Sequence, residues 1–324
     1  MAAAPLFACI GASLRSHLNP KRGVKAMTGY RTDLAMERTV RPDMLGEGVH
    51  VETQRQGQME ITWVRIDTPN AAQRIGKPEG VYWTMTHPML PYLSPEERMP
   101  VAREIGQILR LMLPPKGDVL VLGLGNRHMT ADSLGSQVVE SVLVTRHLKE
   151  ARLRSVCAFA PGVLGVTGVE TAELACGLAE RLKPAAVIVV DALAAMETQH
   201  IGTTVQLTDT GIRPGSGVGN HRAGINRETL HVPVIAMGIP MVVYASTIVR
   251  DALRRILSGE TTEDADTMAE SLSSSAQADM VVTPRSIDEL VDGLADMLAL
   301  AINLALQPDC SMEELTYYLH YRLF

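Results

Sequence analysis

The chain has 324 residues, 46% of them hydrophobic, and a formal net charge of -6, enough apolar material for one large core and a small accessory lobe. That charge balance excludes a basic surface built to neutralise nucleic-acid phosphates, and the four cysteines, at 9, 157, 176 and 310, form no CxxC pair, which fits neither a disulfide framework nor a cysteine-rich zinc site. No apolar run reaches the roughly 18 residues that a membrane-spanning helix needs, so a soluble protein in a reducing, cytosol-like compartment is expected.

From Met1 to Ser13 the chain is apolar and alanine-rich but lacks a positively charged stretch ahead of the apolar part, so an unstructured leader is expected rather than a signal peptide. Met27 offers an alternative start. Between 38 and 115 the signals are sparse: Met59 to Ile66 alternates like an exposed strand, and Glu96 to Leu113 has the period of a helix. The pattern then becomes regular. Asp118 to Gly125 reads as a buried strand, Ser133 to Glu150 as a helix, Ser155 to Ala160 as a strand, and Glu170 to Leu182 as a helix stopped by Pro184. Ala185 to Asp191 is the most strand-like run. Val232 to Ala236 and Met241 to Tyr244 read as two further strands separated by Gly238 and Pro240, with a helix after them from about Ser246 to Leu257. Gly259 to Ala278, rich in Thr, Glu, Asp and Ser, reads as a surface insertion, and Ile287 to Leu306 as a long amphipathic helix docked on the sheet. Strands rich in Val and Ile with little polar alternation are covered on both faces, so the expected fold is α/β, a three-layer α/β/α arrangement with a largely parallel or mixed central sheet.

In such a sheet, ligands collect at the carboxyl ends of the strands. Two acids fall there: Asp132, just after the strand ending in Gly123-Leu-Gly-Asn126, and Asp191, read as the last residue of its strand. Each has a plain alternative, since Asp132 with Thr130 suits the start of the following helix and Asp191 suits a hydrogen bond to its own turn. The Gly123-Leu-Gly125 pair suggests a dinucleotide fingerprint, but His128 stands where the third glycine belongs. A second glycine-rich run, Thr208 to Asn220, has neither a Walker loop nor a nucleophile elbow, because Ser216 sits directly between Gly215 and Gly217. It reads either as a tight structured loop or as the backbone-lined wall of a peptide cleft. None of the nine histidines forms HExxH; most read as surface or packing residues, and His128 alone falls near the two acids.

Several blocks match a known family. Arg31-Thr-Asp-Leu-Ala-Met-Glu37, Gly123-Leu-Gly-Asn126 with Thr130-Ala-Asp-Ser-Leu-Gly135, Pro161 to Thr171, Asp191-Ala-Leu-Ala-Ala195, the run 209 to 220, and Glu228 to Ala236 together resemble the germination proteases. They occur in order from about residue 29 onward. Ala131 stands where a proline is expected and Met196 where a basic residue is expected. The resemblance implies a phosphorylase/hydrolase-like fold related to hydrogenase-maturation endopeptidases. It also implies a homotetrameric endopeptidase of the spore core that opens the degradation of small acid-soluble spore proteins, with a leader and pro-segment at 1–33 and a peptidase domain at 34–324.

The same resemblance makes Asp132 and Asp191 the catalytic pair, with Gly125, Asn126, His128, Gly215 and Gly217 as substrate-cleft candidates. Because Asp33-Leu-Ala-Met-Glu37 looks like a copy of the family's cleavage site, self-processing of a zymogen between Asp33 and Leu34 is expected. No cofactor, direct nucleic-acid partner or membrane partner is expected. The enzymatic alternative is a metal ion held by Asp132, Asp191 and His128, which in the related endopeptidases has its counterpart in acids at the matching positions. The alternative of another class is a non-catalytic protein that grips the spore DNA-protecting proteins.

Overall fold

The computed structural model describes residues 32–39, 45–148, 150–214, 223–256 and 280–321. The leader before Thr32, Met27, Gly215, Gly217 and the expected insertion at 259–278 lie outside the described residues. The chain opens with a short helix α1 (Ala35–Thr39), a hairpin of β1 (Val49–Gln56) and β2 (Met59–Ile66), helix α2 (Pro69–Ile75) and strand β3 (Gly80–Thr86). Helix α3 (Pro95–Met112) starts from a complete capping box, in which Ser94 and Glu97 satisfy each other's backbone amides. The alternating segment follows as β4 (Val119–Gly123), α4 (Leu134–Ser141), β5 (Val156–Phe159), α5 (Leu164–Thr167), α6 (Thr171–Leu182) and β6 (Ala186–Ala195). Then come β7 (Thr204–Thr208), α7 (Arg227–Leu230), β8 (Val234–Tyr244), α8 (Ala245–Ile256), β9 (Val281–Val282), the long α9 (Ile287–Leu306) and α10 (Met312–Tyr321).

One mixed sheet runs through the molecule in the order β1-β2-β3-β7-β8-β6-β4-β5, with β9 added beside β8. The half made of β8, β6, β4 and β5 is parallel, and β1, β2, β3 and β7 continue it antiparallel. Successive residues of a strand face opposite sides, and the two sides of β6 are covered differently. Ile188 and Val190 join the main core under α3, α4 and α9, while Val187 and Val189 pack under α6 with Leu230 and Ile225. The N-terminal hairpin with α2 keeps its own small cluster, including Val64, Ile66, Ala71 and Ile75, at one end of the same sheet. No described helix is long and apolar enough to cross a membrane. Cys157, Cys176 and Cys310 are free thiols, and burial raises the pKa of each.

The structure changes three of the sequence-based boundaries and one expectation of burial. The helix expected over Ser133 to Glu150 ends at Ser141, because Asn303 of α9 takes over the backbone there, donating to the Ser141 carbonyl at 3.1 Å and accepting from Leu143 N at 2.8 Å. Val232 to Ala236 and Met241 to Tyr244 are parts of one strand, β8. Gly238 pairs with Asp191, and Pro240, which has no amide to donate, sits opposite Leu193 just before a shift of register. Strand β6 continues past Asp191 to Ala195, so Asp191 lies within the strand rather than at its end. Finally, β2 is not exposed, since β1 and β3 flank it and Met59, Ile61, Val64 and Ile66 are buried.

One glycine fixes how closely α4 can approach. A Cβ at Gly135 would overlap the Val190 carbonyl and the backbone of Leu124. Gly135→Ala is therefore expected to destabilise by about 3 kcal/mol, the upper part of the range for overpacking, and to lower Tm by roughly 5–10 °C. Thermal unfolding followed by circular dichroism checks this, and an unchanged Tm would contradict such close seating.

Candidate active site

The carboxyl edge of the parallel half is built from the end of β4. Gly123 is the last paired residue, opposite Val190, and Leu124 N then donates to the Val190 carbonyl at 2.8 Å. The chain reverses at Gly125, whose φ of +99° suits a residue without a side chain and whose backbone lies against the Asp132 carbonyl. Asp132 closes the loop by accepting from Asn126 N at 2.8 Å, and Asn126 Oδ1 accepts from His128 N at 3.0 Å. Asp132 thus holds the loop of Gly125 and Asn126 and does not cap α4. The residue before that helix is Ser133, which makes no side-chain cap. The single turn Thr130–Asp132 lies against β6 and β8, the two strands joined at the Asp191–Gly238 pair.

Asp191 is 7% exposed, and its Oδ1 accepts from Ala192 N at 2.9 Å. By strand alternation it shares a face with Val187 and Val189 behind it and with Leu193 and Ala195 ahead. The turn that carries Asp132 and the strand that carries Asp191 lie side by side. His128 does not join them: it is exposed and lines a polar groove between α4 and α9 with Arg127, Glu140, Asp292 and Asp296. Among the described residues, no three His, Cys, Asp or Glu side chains gather as a ligand set for a metal ion. Among the described residues Asp132, Asp191 and His128 are not gathered into one ligand set, and His128 is exposed.

The tail of β6 beyond Asp191 is not empty. The segment from Thr32 to Thr39 lies across it. Asp33 N donates to the Ala194 carbonyl and the Asp33 carboxylate accepts from Ala194 N, both at 2.9 Å. Leu34 is fully buried against Leu193, Ala195 and Val243, on the face that carries Asp191. Ala35 N donates to Gln206 Oε1 at 2.7 Å, while Gln206 Nε2 and Lys77 Nζ each donate to the Asp33 carbonyl at 2.9 Å. Lys77 also reaches the Thr32 carbonyl at 2.9 Å. Burial lowers the Lys77 pKa, and the neighbouring Asp33 opposes that shift in part.

The Glu37 side chain, with no exposed surface, sits in a pocket of donors. It accepts from Met196 N at 2.7 Å and Glu197 N at 2.9 Å, meets His200 Nδ1 at 2.7 Å, and receives the Thr32 hydroxyl. Met196, where a basic residue was expected, has its carbonyl bonded by Arg250, 1% exposed, which also pairs with Asp251 at 3.2 Å. Sequence reasoning missed Lys77, His200 and Gln206. The nearest signal was Gln206 itself, a buried amide in an otherwise short apolar and threonine run.

Comparison with known proteins gives a consistent result. A family profile described as germination protease matches residues 31–279. The germination protease of Caldanaerobacter subterraneus is 40% identical over 321 residues, covering 90% of this chain and 98% of its own. That of Clostridium acetobutylicum is 36% identical, covering 91% and 100%, and that of Priestia megaterium is 38% identical, covering 69% and 64%. Among solved structures, a NiFe hydrogenase maturation protease from Thermococcus kodakarensis aligns at TM-score 0.33 and 18% identity over 60% of this chain and 98% of its own, a likeness too slight to carry an inference.

Proposed function

The chain belongs to the germination protease family and is a peptidase, and on that premise we propose that it opens the degradation of small acid-soluble spore proteins, after cutting itself between Asp33 and Leu34. The proposal extends to a homotetramer working in the spore core and to hydrolysis by Asp132 and Asp191. The observation that carries this reading is the seating of Thr32–Thr39 on the tail of β6, with Leu34 buried on the face of Asp191 and Glu37 fully enclosed. A segment held by its main chain and by two side-chain pockets is bound as a substrate would be.

Peptide hydrolysis needs water made nucleophilic and a leaving amine protonated. Two carboxyl groups at one rim supply both when one is ionised and its neighbour protonated. One acid takes the water proton and the other donates to the reacting peptide. Water activation is assigned to the two acids. The test is mass spectrometry of a purified basic spore protein after exposure to the processed enzyme. New ends that follow an acidic residue and begin with an apolar one support the reading; substrate left intact overturns it in favour of a protein that only binds.

The Glu37 pocket gives a separate prediction. Removing one partner of a buried hydrogen bond to a charged group costs about 1.5–3 kcal/mol, so His200→Ala is expected to reduce kcat/KM roughly 10- to 100-fold on peptides with Glu at the fourth position after the cut. On peptides with Gln there, the difference between wild type and variant should shrink. Steady-state kinetics with the two peptides checks this, and an equal loss on both would contradict recognition of that carboxylate by His200.

A further inference from the structure

The peptide group between Asp33 and Leu34 is held in a way that the two acids do not explain. Its carbonyl oxygen receives two side-chain donors, Lys77 Nζ and Gln206 Nε2, each at 2.9 Å. We infer that Lys77 and Gln206 form the oxyanion site of this protease, donating to the carbonyl oxygen of the residue before the cut. The inference rests on Asp33–Leu34 being the bond that is cleaved.

Both distances fall in the range of about 2.7–3.1 Å that effective oxyanion donors occupy. In the first step the water oxygen bonds to the Asp33 carbonyl carbon, its proton passes to one of the acids, and the carbonyl π pair moves onto the oxygen between Lys77 and Gln206. In the second, that pair returns, the bond from Asp33 C to Leu34 N breaks, and the Leu34 amine leaves with a proton from the acid pair. The oxygen carries a full negative charge only between these steps. A hydrogen bond from an ammonium strengthens as that charge grows, so Lys77 stabilises the intermediate more than the bound peptide, which is the condition for acceleration.

The surrounding structure fixes both donors. Lys77 follows the left-handed cap of α2 at Gly76, and its own amide donates to the Ala72 carbonyl at 3.2 Å, which sets the origin of its side chain. Gln206 projects from β7, held between β3 and β8. Its carboxamide accepts from Ala35 N as well as donating to the Asp33 carbonyl, so it brackets Leu34 as a neighbouring strand would. That grip uses main-chain atoms only and suits any peptide entering in the same register. The lowered pKa of Lys77 agrees with an ammonium withdrawn from water and aimed at a carbonyl.

The rival role is a pin that merely keeps Thr32–Thr39 in place. Self-processing of the full chain, followed by mass spectrometry, and hydrogen exchange at Ala35 separate the two. Lys77→Met is expected to slow processing about 10²- to 10³-fold, the cost of losing one oxyanion donor, with Ala35 N still protected. Lys77→Arg should keep a measurable rate and move the alkaline limb of the pH profile upward, because the guanidinium holds its proton where a buried ammonium has lost it. A wild-type rate in Lys77→Met, a loss matched by free exchange at Ala35, or an alkaline limb unmoved in Lys77→Arg would overturn the inference alone. A wild-type chain that cuts elsewhere would overturn the cleavage assignment, and the inference with it.

Discussion

Asp191→Asn is expected to lower the rate of substrate cleavage by about 10³- to 10⁴-fold, the upper part of the range for losing a general acid or base, while the protein stays folded. The asparagine side chain has the same shape and keeps an oxygen for the Ala192 amide, now bonded at 2.9 Å, so the buried strand loses no partner there. It has no proton to take up or give at neutral pH, so water activation fails. Asp132→Asn is expected to fall as far, because its amide oxygen preserves the bond to Asn126 N and with it the loop carrying Gly125. Since the two acids are proposed to act as a unit, the double variant should be little worse than either single one. Initial rates on a purified spore protein, with Tm measured in parallel, check all three. Full turnover by either single variant would remove that residue from the mechanism.

The full-length chain is expected to cleave protein substrate roughly 10²- to 10³-fold more slowly than a chain beginning at Leu34. The reason is competition. A segment tethered beside its own binding site acts at an effective concentration on the order of millimolar, so free substrate at micromolar concentration cannot displace it. Cutting after Asp33 separates the part of the segment that pairs with Ala194 and receives Lys77 and Gln206 from the part that begins with Leu34. The remaining anchors, the Leu34 pocket, the Ala35 amide on Gln206 and the Glu37 pocket, then hold a shorter piece that incoming substrate can replace. Initial rates of the two forms on the same spore protein provide the comparison, and equal activity would contradict control by this segment.

The elements that sequence reading located well are those whose information is local. The start of β6, the period of α6 and the long stripe of α9 each follow a pattern local to a few residues, and the structure keeps them close to the expected positions. The errors arose where a distant residue altered the outcome. Asn303 ends α4 early from 160 residues away, and the neighbours of β8 carry Gly238 and Pro240 through a strand that both residues normally interrupt. The antiparallel strands β3 and β7 went unread because neither is long or strongly periodic by itself; each is a strand through the partners beside it.

The candidate site divides in the same way. The alternation of strands and helices between 118 and 191, the place of Asp132 just after β4, and the resemblance of Asp33 to Glu37 to a family cleavage site were legible in the sequence alone, because each depends on residues next to one another. That Lys77 and Gln206 meet at the Asp33 carbonyl, that His200 faces Glu37, and that His128 is not gathered with the acids were decided only by tertiary structure. Those contacts span separations such as 44, 173 and 163 residues. A hydrogen bond of that reach leaves no periodicity in the chain, and it exists only once the sheet has brought its strands side by side.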